Sequence, residues 1–149
     1  MQKIIPNLWF NRNADEAIDF YMTIFRDGKI LRKEKYPEQG LMDFQKEFSG
    51  KTLTIEFEIM GMKFIAINAG DEFKFTEAIS LMINCKDQVE IDYYWEKLSS
   101  GSEFEQCGWC KDKYGLSWQI VPENMGELLR RPNAFAHMLE MKKLIIEKF

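Results

Sequence analysis

The sequence predicts an α+β fold made of two βαβββ modules followed by a C-terminal helix. The first observation is a short repeat, because Ile18-Asp19-Phe20-Tyr21 matches Ile91-Asp92-Tyr93-Tyr94 at an offset of 73 residues. The second is that the apolar stripes of two predicted helices coincide at this offset. The third is that each half reads as strand, helix, strand and hairpin. These patterns predict an internal duplication within a single domain, 1–149, with modules of about 1–75 and 76–122 and an extension of 123–149.

Apolar residues spaced i, i+3, i+4 and i+7 predict the two module helices. The first covers Ala14 to Phe25 behind an N-cap at Asn13, and Asp87 caps the second. The stripe residues are Ile18, Tyr21, Met22 and Phe25 in the first helix and Ile91, Tyr94, Trp95 and Leu98 in the second. A third helix, Ala134 to Lys148, is predicted after Asn133. Its apolar residues cover more than one stripe, so we expect part of its surface to pack on a partner subunit.

Alternation of apolar and polar residues predicts the strands. They are Ile4 to Phe10, Lys29 to Tyr36, Leu53 to Met60, Met62 to Ala69, Ile79 to Cys85, a short strand near Glu103 to Glu105, Gln106 to Lys111 and Leu116 to Val121. The charge of Lys29 to Tyr36 indicates an edge strand. The polar loop Pro37 to Gly50 is long enough to be a lid or an ordered excursion. Asp112 and Gly115 suit the tight turn of the last hairpin.

Composition excludes several classes of protein. The chain is 46% hydrophobic and 14% aromatic, which is typical of a globular domain. It carries 24 acidic against 20 basic residues, and no basic block exceeds two adjacent residues, which argues against nucleic acid as a partner. No segment is long and apolar enough to span a membrane, and the N-terminus lacks the apolar core of a signal peptide. A soluble, cytoplasmic protein is therefore expected.

Three cysteines, Cys85, Cys107 and Cys110, suit a reducing compartment. Cys107 and Cys110 form a C-x-x-C motif, for which redox or zinc chemistry is one interpretation. The motif lies in a predicted strand, however, where residues three apart point to opposite faces. A zinc ion would need further ligands, and only Cys85 and His137 remain as soft candidates. A structural role is therefore favoured for the cysteines, and a surface or packing role for His137, the only histidine.

Four stretches carry a resemblance to a known family. They are LWFNRNADEAIDFY, KFIAINAGDEFKFTEAISLMINC, the helix face from Asp92 to Trp95, and QCGWCKDKYGLSWQIVP. They resemble the PhnB-like branch of the vicinal oxygen chelate superfamily, the glyoxalase, bleomycin-resistance and dioxygenase group, whose PhnB-like members are often labelled 3-demethylubiquinone-9 3-methyltransferase. The resemblance implies an incompletely closed, eight-stranded, cup-shaped sheet with helices outside. The cup would hold a divalent metal with substrate or a bare ligand, and homodimers are common.

The resemblance also suggests positions for a site. Metal-dependent members take one ligand from the first and last strand of each module, usually His, Glu or Gln. The corresponding positions here are Asn7, Asn68, Ser80 and Gln119. None is anionic or an imidazole, which are the ligands that divalent cations prefer, so no metal cofactor is expected. Glu56 and Glu58 could stand in as ligands if they face the cup.

Three functions remain open. The first is a small-molecule-binding protein with a largely neutral, metal-free pocket, in which Asn7, Ser80 and Gln119 orient the ligand. Its apolar walls would be Trp9, Met82 and Trp109. The second is a metal-dependent lyase, isomerase or dioxygenase that uses Glu56 or Glu58 together with Gln119. The third is a dimeric structural or interaction protein. No catalytic residue is assigned.

Two further features of the sequence bear on the family label and on the residues of the site. No glycine-rich strand-to-helix turn of the kind that holds a nucleotide cofactor is present, which argues against the methyltransferase label. The faces of the last strand depend on its register, and an error of one residue would replace Gln119 by Trp118 in the site.

Overall fold

Two units, Met1–Lys74 and Phe75–Phe149, make up the computed structural model, which describes residues 1–149. Each unit contains one mixed β-sheet and one longer α-helix, so the predicted α+β class is confirmed. The two units divide the chain close to the predicted module boundary, while the single-domain organisation and the duplication stay predictions.

Unit 1 contains the complete βαβββ pattern. Its elements are β1 (Asn7–Asn11), α1 (Ala14–Ile24), β2 (Lys29–Lys35), a 3₁₀ helix (Asp43–Phe48), β3 (Thr52–Ile59) and β4 (Met62–Ala69). The strand order is β1-β4-β3-β2, with β1 parallel to β4 and the other pairs antiparallel. Every residue of β2 is exposed, which confirms the predicted edge strand.

One side of the unit 1 sheet forms its core. The strand residues buried on this side are Leu8, Phe10, Ile55, Phe57, Ile59, Phe64, Ala66 and Asn68. The predicted stripe of α1 is confirmed, because Ile18 and Tyr21 are buried and Met22 is half-buried. Asn13 occupies the N-cap position, but its side chain makes no capping hydrogen bond. The other side of the sheet carries the half-buried or exposed residues at alternate positions.

The loop after β2 is an ordered excursion. Its 3₁₀ helix brings Phe48 against Tyr36, and the two rings stack with their centroids 5.1 Å apart. The Tyr36 hydroxyl donates a hydrogen bond to the backbone oxygen of Asn68 at 2.6 Å. Burial is the main cause of the raised pKa of the Tyr36 hydroxyl, and the nearby Glu72 carboxylate raises it further. These contacts hold both ends of the loop onto the sheet.

Unit 2 contains three strands. Its elements are β5 (Ser80–Cys85), α2 (Gln88–Leu98), β6 (Trp109–Lys111), β7 (Ser117–Pro122), α3 (Met125–Leu128), α4 (Ala134–Leu139) and a 3₁₀ helix (Ile146–Lys148). The strand order is β5-β7-β6, with β5 parallel to β7 and β6 antiparallel to it. Asp87 caps α2 as predicted, because its carboxylate accepts a hydrogen bond from the Glu90 backbone N–H at 2.9 Å.

The expected count of eight strands is wrong, because the sheets contain four and three strands. The missing strand is the one predicted near Glu103 to Glu105, where the backbone forms turns. Glu105 is buried, and its carboxylate accepts hydrogen bonds from the Ser99 hydroxyl and from the Gly101 backbone N–H. These bonds fold residues 99–105 back on the end of α2, so the segment is not extended.

The β6–β7 hairpin turns at Asp112, as the sequence predicts. Asp112 is only 2% exposed, and one carboxylate oxygen accepts hydrogen bonds from the backbone N–H groups of Tyr114 and Leu116, at 2.8 and 3.2 Å. The other oxygen accepts a hydrogen bond from the Trp118 indole N–H at 2.9 Å. Gly115 has a φ of 88°, which favours glycine. The buried carboxylate therefore organises both the turn and the first half of β7.

The first arm of this hairpin is shorter than predicted. Cys107 and Gly108 have positive φ values of 53° and 88°, so the regular strand begins only at Trp109. A Cβ on Gly108 would lie 2.9 Å from the backbone oxygen of Ile120 and 3.0 Å from Leu144. Glycine is thus required by both its φ value and the close approach of neighbouring atoms.

The predicted helix Ala134 to Lys148 is also wrong, since α4 ends at Leu139. The backbone oxygens of Met141 and Lys142 accept hydrogen bonds from the N–H groups of Cys107 and Gly108, both at 2.8 Å. Those oxygens are therefore used outside any helix. Residues 140–149 instead contribute buried apolar side chains to a cluster inside unit 2, which also includes residues of β7, α3 and α4. Its members are Val121, Leu128, Ala134, Met141, Leu144 and Phe149.

The C-x-x-C cysteines lie in different environments. Cys107 is half-buried and Cys110 is buried. Burial is the main cause that raises the pKa of Cys110 to about 12, and the carboxylates of Glu105 and Asp112 add to it. Burial likewise raises the pKa of Cys85 to about 12, with Glu90 and Asp87 contributing. Nucleophilic and metal-binding cysteines need a lowered pKa, whereas the pKa of Cys85 and of Cys110 is raised.

None of the helices combines the length and the apolar character that a membrane crossing requires.

We predict that Asp112→Ala lowers the free energy of unfolding by about 3 kcal/mol, because it leaves buried N–H donors without an acceptor. Urea unfolding followed by circular dichroism measures this loss. Asp43→Ala is the control, because the side chain of Asp43 is 96% exposed and pairs only with Lys46. We expect that control to cost less than about 1 kcal/mol. Equal losses in the two variants would contradict the role given to Asp112.

We also predict that only Cys107 reacts rapidly with a thiol reagent in the native protein at pH 8. A thiol with a pKa of about 12 has only about 1 in 10,000 molecules ionised at that pH, and burial also blocks the reagent. Mass spectrometry after brief alkylation identifies the labelled residue. Cys107→Ser should abolish fast labelling, whereas urea should expose the remaining thiols. Rapid native labelling of Cys110, or a disulfide between Cys107 and Cys110, would contradict this interpretation.

Candidate functional site

The sheet of unit 2 has one face that carries most of its polar strand residues, here called the open face. Its members on β5, β6 and β7 are Ser80, Met82, Asn84, Trp109, Lys111, Ser117, Gln119 and Val121. The opposite face carries Ile83, Cys110, Trp118 and Ile120, all of which are buried. The register therefore places Gln119, and not Trp118, on the open face.

Gln119 lies at the centre of this face. The strand pairing sets Met82 on one side of it and Trp109 on the other. Its side-chain Nε2 donates a hydrogen bond to the Ser80 hydroxyl at 2.8 Å. This bond leaves free the Gln119 Oε1, the second Nε2 hydrogen and the hydroxyl hydrogen of Ser80, so the pair offers one acceptor and two donors. Met82 is 54% exposed and Trp109 is half-buried, which gives the polar pair apolar flanks.

Lys111 and Ser117 lie on the open face beside the selected residues but were not selected from the sequence. Lys111 forms an ion pair with Glu77, and its ammonium group lies 4.0 Å from the centre of the Phe104 ring. The hydrogen bond from Lys111 is the main cause that lowers the pKa of Glu77. Ser117 is buried beside Lys111 and Ser80 on the neighbouring strands, and its hydroxyl has no protein hydrogen-bond partner. Lys111 lies two positions from Trp109, and Ser117 two positions from Gln119. Residues two apart on a strand share a face, so the alternation of β6 and β7 could have identified both.

Three other selected residues lie on the half-exposed side of the unit 1 sheet. Asn7 is exposed, and its amide donates a hydrogen bond to the Ile5 backbone oxygen at 3.0 Å. The Trp9 indole N–H donates a hydrogen bond to the Gly70 oxygen at 2.9 Å, and its ring meets Phe73 edge to face at 4.8 Å. Trp9 therefore holds the loop that follows β4.

Glu56 and Glu58 share this side of the unit 1 sheet, as the alternation predicts. Glu56 lies 3.8 Å from both Arg32 and Lys63, and Glu58 lies 3.6 Å from Lys29. Each carboxylate therefore has cationic side chains beside it already, and its charge is compensated within unit 1.

These residues do not fit a divalent metal ion. Asn68 is buried, and its side chain accepts a hydrogen bond from the Ala14 N–H and donates one to the Thr52 oxygen. It caps α1, so it lies away from the side that carries Asn7. Ser80 and Gln119 bond each other. No three His, Cys, Asp or Glu residues converge anywhere in the chain, whereas divalent ions prefer such ligands.

The two strand-to-helix connections do not fit a nucleotide cofactor either. The connection from β1 to α1 contains Arg12 and Asn13, and that from β5 to α2 contains Lys86 and Asp87. Neither contains the glycines that let phosphates approach a helix N-terminus.

Comparison with known proteins identifies the family. The sequence profile of the 3-demethylubiquinone-9 3-methyltransferase family matches residues 2–121. The structure of a putative 3-demethylubiquinone-9 3-methyltransferase, a PhnB protein from Bacillus cereus, shares 32% identity and a TM-score of 0.65 over 80% of this chain and 99% of that one. A Pseudomonas aeruginosa protein, at 16% identity and a TM-score of 0.60 over 82% and 98% of the two chains, shares the fold. No curated protein matches. The chain belongs to the 3-demethylubiquinone-9 3-methyltransferase family, in its PhnB-like branch.

Proposed function

We propose that the chain binds a small, uncharged organic molecule on the open face of unit 2, without a resident metal ion. The observation that carries this proposal is the hydrogen-bonded pair of Gln119 and Ser80 between Met82 and Trp109. Small-molecule sites combine apolar walls with a few placed polar groups in this way.

The charge of the open face supports an uncharged ligand. Lys111 is the only ionisable strand residue on this face, and Glu77 neutralises it. Gln119 Oε1 can accept a hydrogen bond, and the second amide hydrogen and the Ser80 hydroxyl can donate, which suits a carbonyl, hydroxyl or amide group. The indole ring of Trp109 and the thioether of Met82 suit an aromatic or aliphatic body.

The name of the family does not by itself make this chain a methyltransferase. The Bacillus cereus protein carries that name as a putative one. Neither strand-to-helix connection resembles a nucleotide-cofactor site, and burial raises the pKa of the Cys85 and Cys110 thiols to about 12. A binding function of the glyoxalase and bleomycin-resistance type accounts for the polar pair and its apolar flanks, and it requires no catalytic group.

The expected homodimer stays a prediction. The C-terminal residues that suggested a partner surface include Met141 and Leu144, and both are buried within unit 2. Phe135 and Leu139 of α4 remain exposed, at 60% and 45%.

A ligand screen tests the binding function. We expect neutral aromatic compounds bearing a carbonyl or hydroxyl group to raise the melting temperature and to change tryptophan fluorescence. Binding at 100 times Kd stabilises the folded state by about 2.7 kcal/mol. Gln119→Leu and Met82→Ala should each weaken the best compound at least about tenfold by removing a polar contact or an apolar wall.

Met42→Ala is the matched control, because Met42 is similarly exposed, at 65%, and lies in a loop of unit 1. It should leave the affinity unchanged. The proposal is wrong if no neutral compound stabilises the protein, or if the three variants bind the best compound equally well.

Elemental analysis tests the absence of a resident metal. After incubation with Zn, Ni, Mn or Fe(II) and removal of free ions, we expect less than about 0.1 ion per chain, because no suitable ligand set converges. Glu56→Ala should give the same result. Retention of about one ion per wild-type chain, and its loss in Glu56→Ala, would instead support the metal-dependent alternative.

A further inference from the structure

The C-terminal segment of unit 2 lines an open cleft of about 440 Å³ that shares no residue with the open face. Its apolar residues are Met141, which is buried, and Ile145, which is half-buried. The polar and charged residues form the rim: His137, Glu140, Lys142, Lys143 and Lys148. The volume lies within the range of small-ligand sites, about 300–1,000 Å³. We call this cavity the C-terminal cleft.

The C-terminal cleft is cationic although the chain is acidic. The whole sequence has a net charge of −4, so the grouping of three lysines does not follow from composition. Lys143 pairs with Asp92 at 2.8 Å. Lys142 and Lys148 form no ion pair, and Glu140 is the only acidic residue that lines the cleft. An anion entering the cleft would gain favourable Coulomb interactions with these two lysines.

The backbone around the lysines is fixed by the rest of unit 2. The Lys142 oxygen accepts the Gly108 N–H hydrogen bond at 2.8 Å. Gln88 of α2 donates a hydrogen bond to the Leu144 oxygen at 3.0 Å and accepts one from the Ile146 N–H at 2.8 Å. Leu144 is fully buried and packs against Gly108. The backbone of residues 142–146 is therefore held against α2 and the turn at Gly108 without a ligand.

Asp92 adds a contact from α2. The hydrogen bond from Lys143 is the main cause that lowers the pKa of Asp92, and a second hydrogen bond from Gln88 contributes. This pairing directs Lys143 toward α2 and leaves Lys142 and Lys148 as the cations available to a ligand.

We propose that the C-terminal cleft binds a small phosphorylated molecule through Lys142 and Lys148, with His137 as a further hydrogen-bonding group. Lysine binds phosphate as a point charge and needs no fixed planar geometry, which suits a cleft with flexible rim side chains. A phosphate group also carries more charge than one carboxylate, so it matches two uncompensated lysines better. This site is independent of the ligand proposed for the open face.

The single histidine provides a direct reporter of binding. Because His137 is the only histidine, its ring protons give one isolated set of proton NMR signals in the untagged protein. We expect titration with pyrophosphate at constant pH and 150 mM NaCl to move these signals saturably, with a Kd of about 1 mM or lower. A linear shift without saturation would show only general screening and would overturn the proposal.

Two charge-matched variants separate a specific site from general electrostatics. Lys142→Gln/Lys148→Gln should weaken pyrophosphate binding at least about tenfold. Lys86→Gln/Lys97→Gln makes the same change of net charge at two exposed lysines outside the cleft, and it should leave the Kd within about twofold. Equal weakening in both variants would overturn the proposal.

Citrate tests the assignment to phosphate, because it carries a similar charge on carboxylates. We expect it to bind at least about fivefold more weakly than pyrophosphate. Equal affinities for the two anions would overturn the phosphate assignment. Failure of the neutral-ligand screen would leave all of these results unchanged, because the two sites have no residue in common.

Discussion

The burial of Trp118, together with the hydrogen bond from its indole to the Asp112 carboxylate, sets which way β7 faces. With Trp118 on the buried side, the neighbouring residue Gln119 must point to the open face. The same carboxylate closes the turn that brings β6 alongside β7. A slip of one residue would bury Gln119 and expose Trp118, and would also leave the carboxylate without its indole partner. The geometry of the candidate site therefore depends on a residue outside it.

Most charged strand residues of the two sheets lie in ion pairs. Glu56 has Arg32 and Lys63 nearby, and Lys111 has Glu77. Partly exposed pairs of this kind contribute little stability. Their more important effect is to leave the strand faces without a strong field, so that recognition falls to hydrogen bonds and apolar contact. The C-terminal cleft is different because two of its lysines lack partners, and this contrast is the reason for assigning the two regions to different ligand chemistries.

Local patterns in the sequence predicted the elements whose packing is periodic. The stripe of α1, the hairpin turn at Asp112 and the alternation of β7 all follow from spacing and turn chemistry. The failures occur where a distant partner decides the outcome. The buried Glu105 carboxylate binds the Gly101 N–H, so the predicted strand near it forms turns instead. The backbone oxygens of residues 141 and 142 accept hydrogen bonds from Cys107 and Gly108, whereas a longer C-terminal helix would have used these oxygens internally. The ion pair of Lys111 was missed for the same reason, because Glu77 lies in a distant loop.

Unit 2 covers the β6 edge of its sheet with its own backbone. An exposed edge strand can pair with strands of other molecules through its free N–H and C=O groups. On β6, however, the N–H and oxygen of Trp109 pair with Gln106, and the Lys111 oxygen accepts a hydrogen bond from the Ser100 N–H. Unit 1 protects its own edge differently, through the charged residues of β2. Association of unit 2 with another molecule through β6 would therefore require residues 100–106 to detach first.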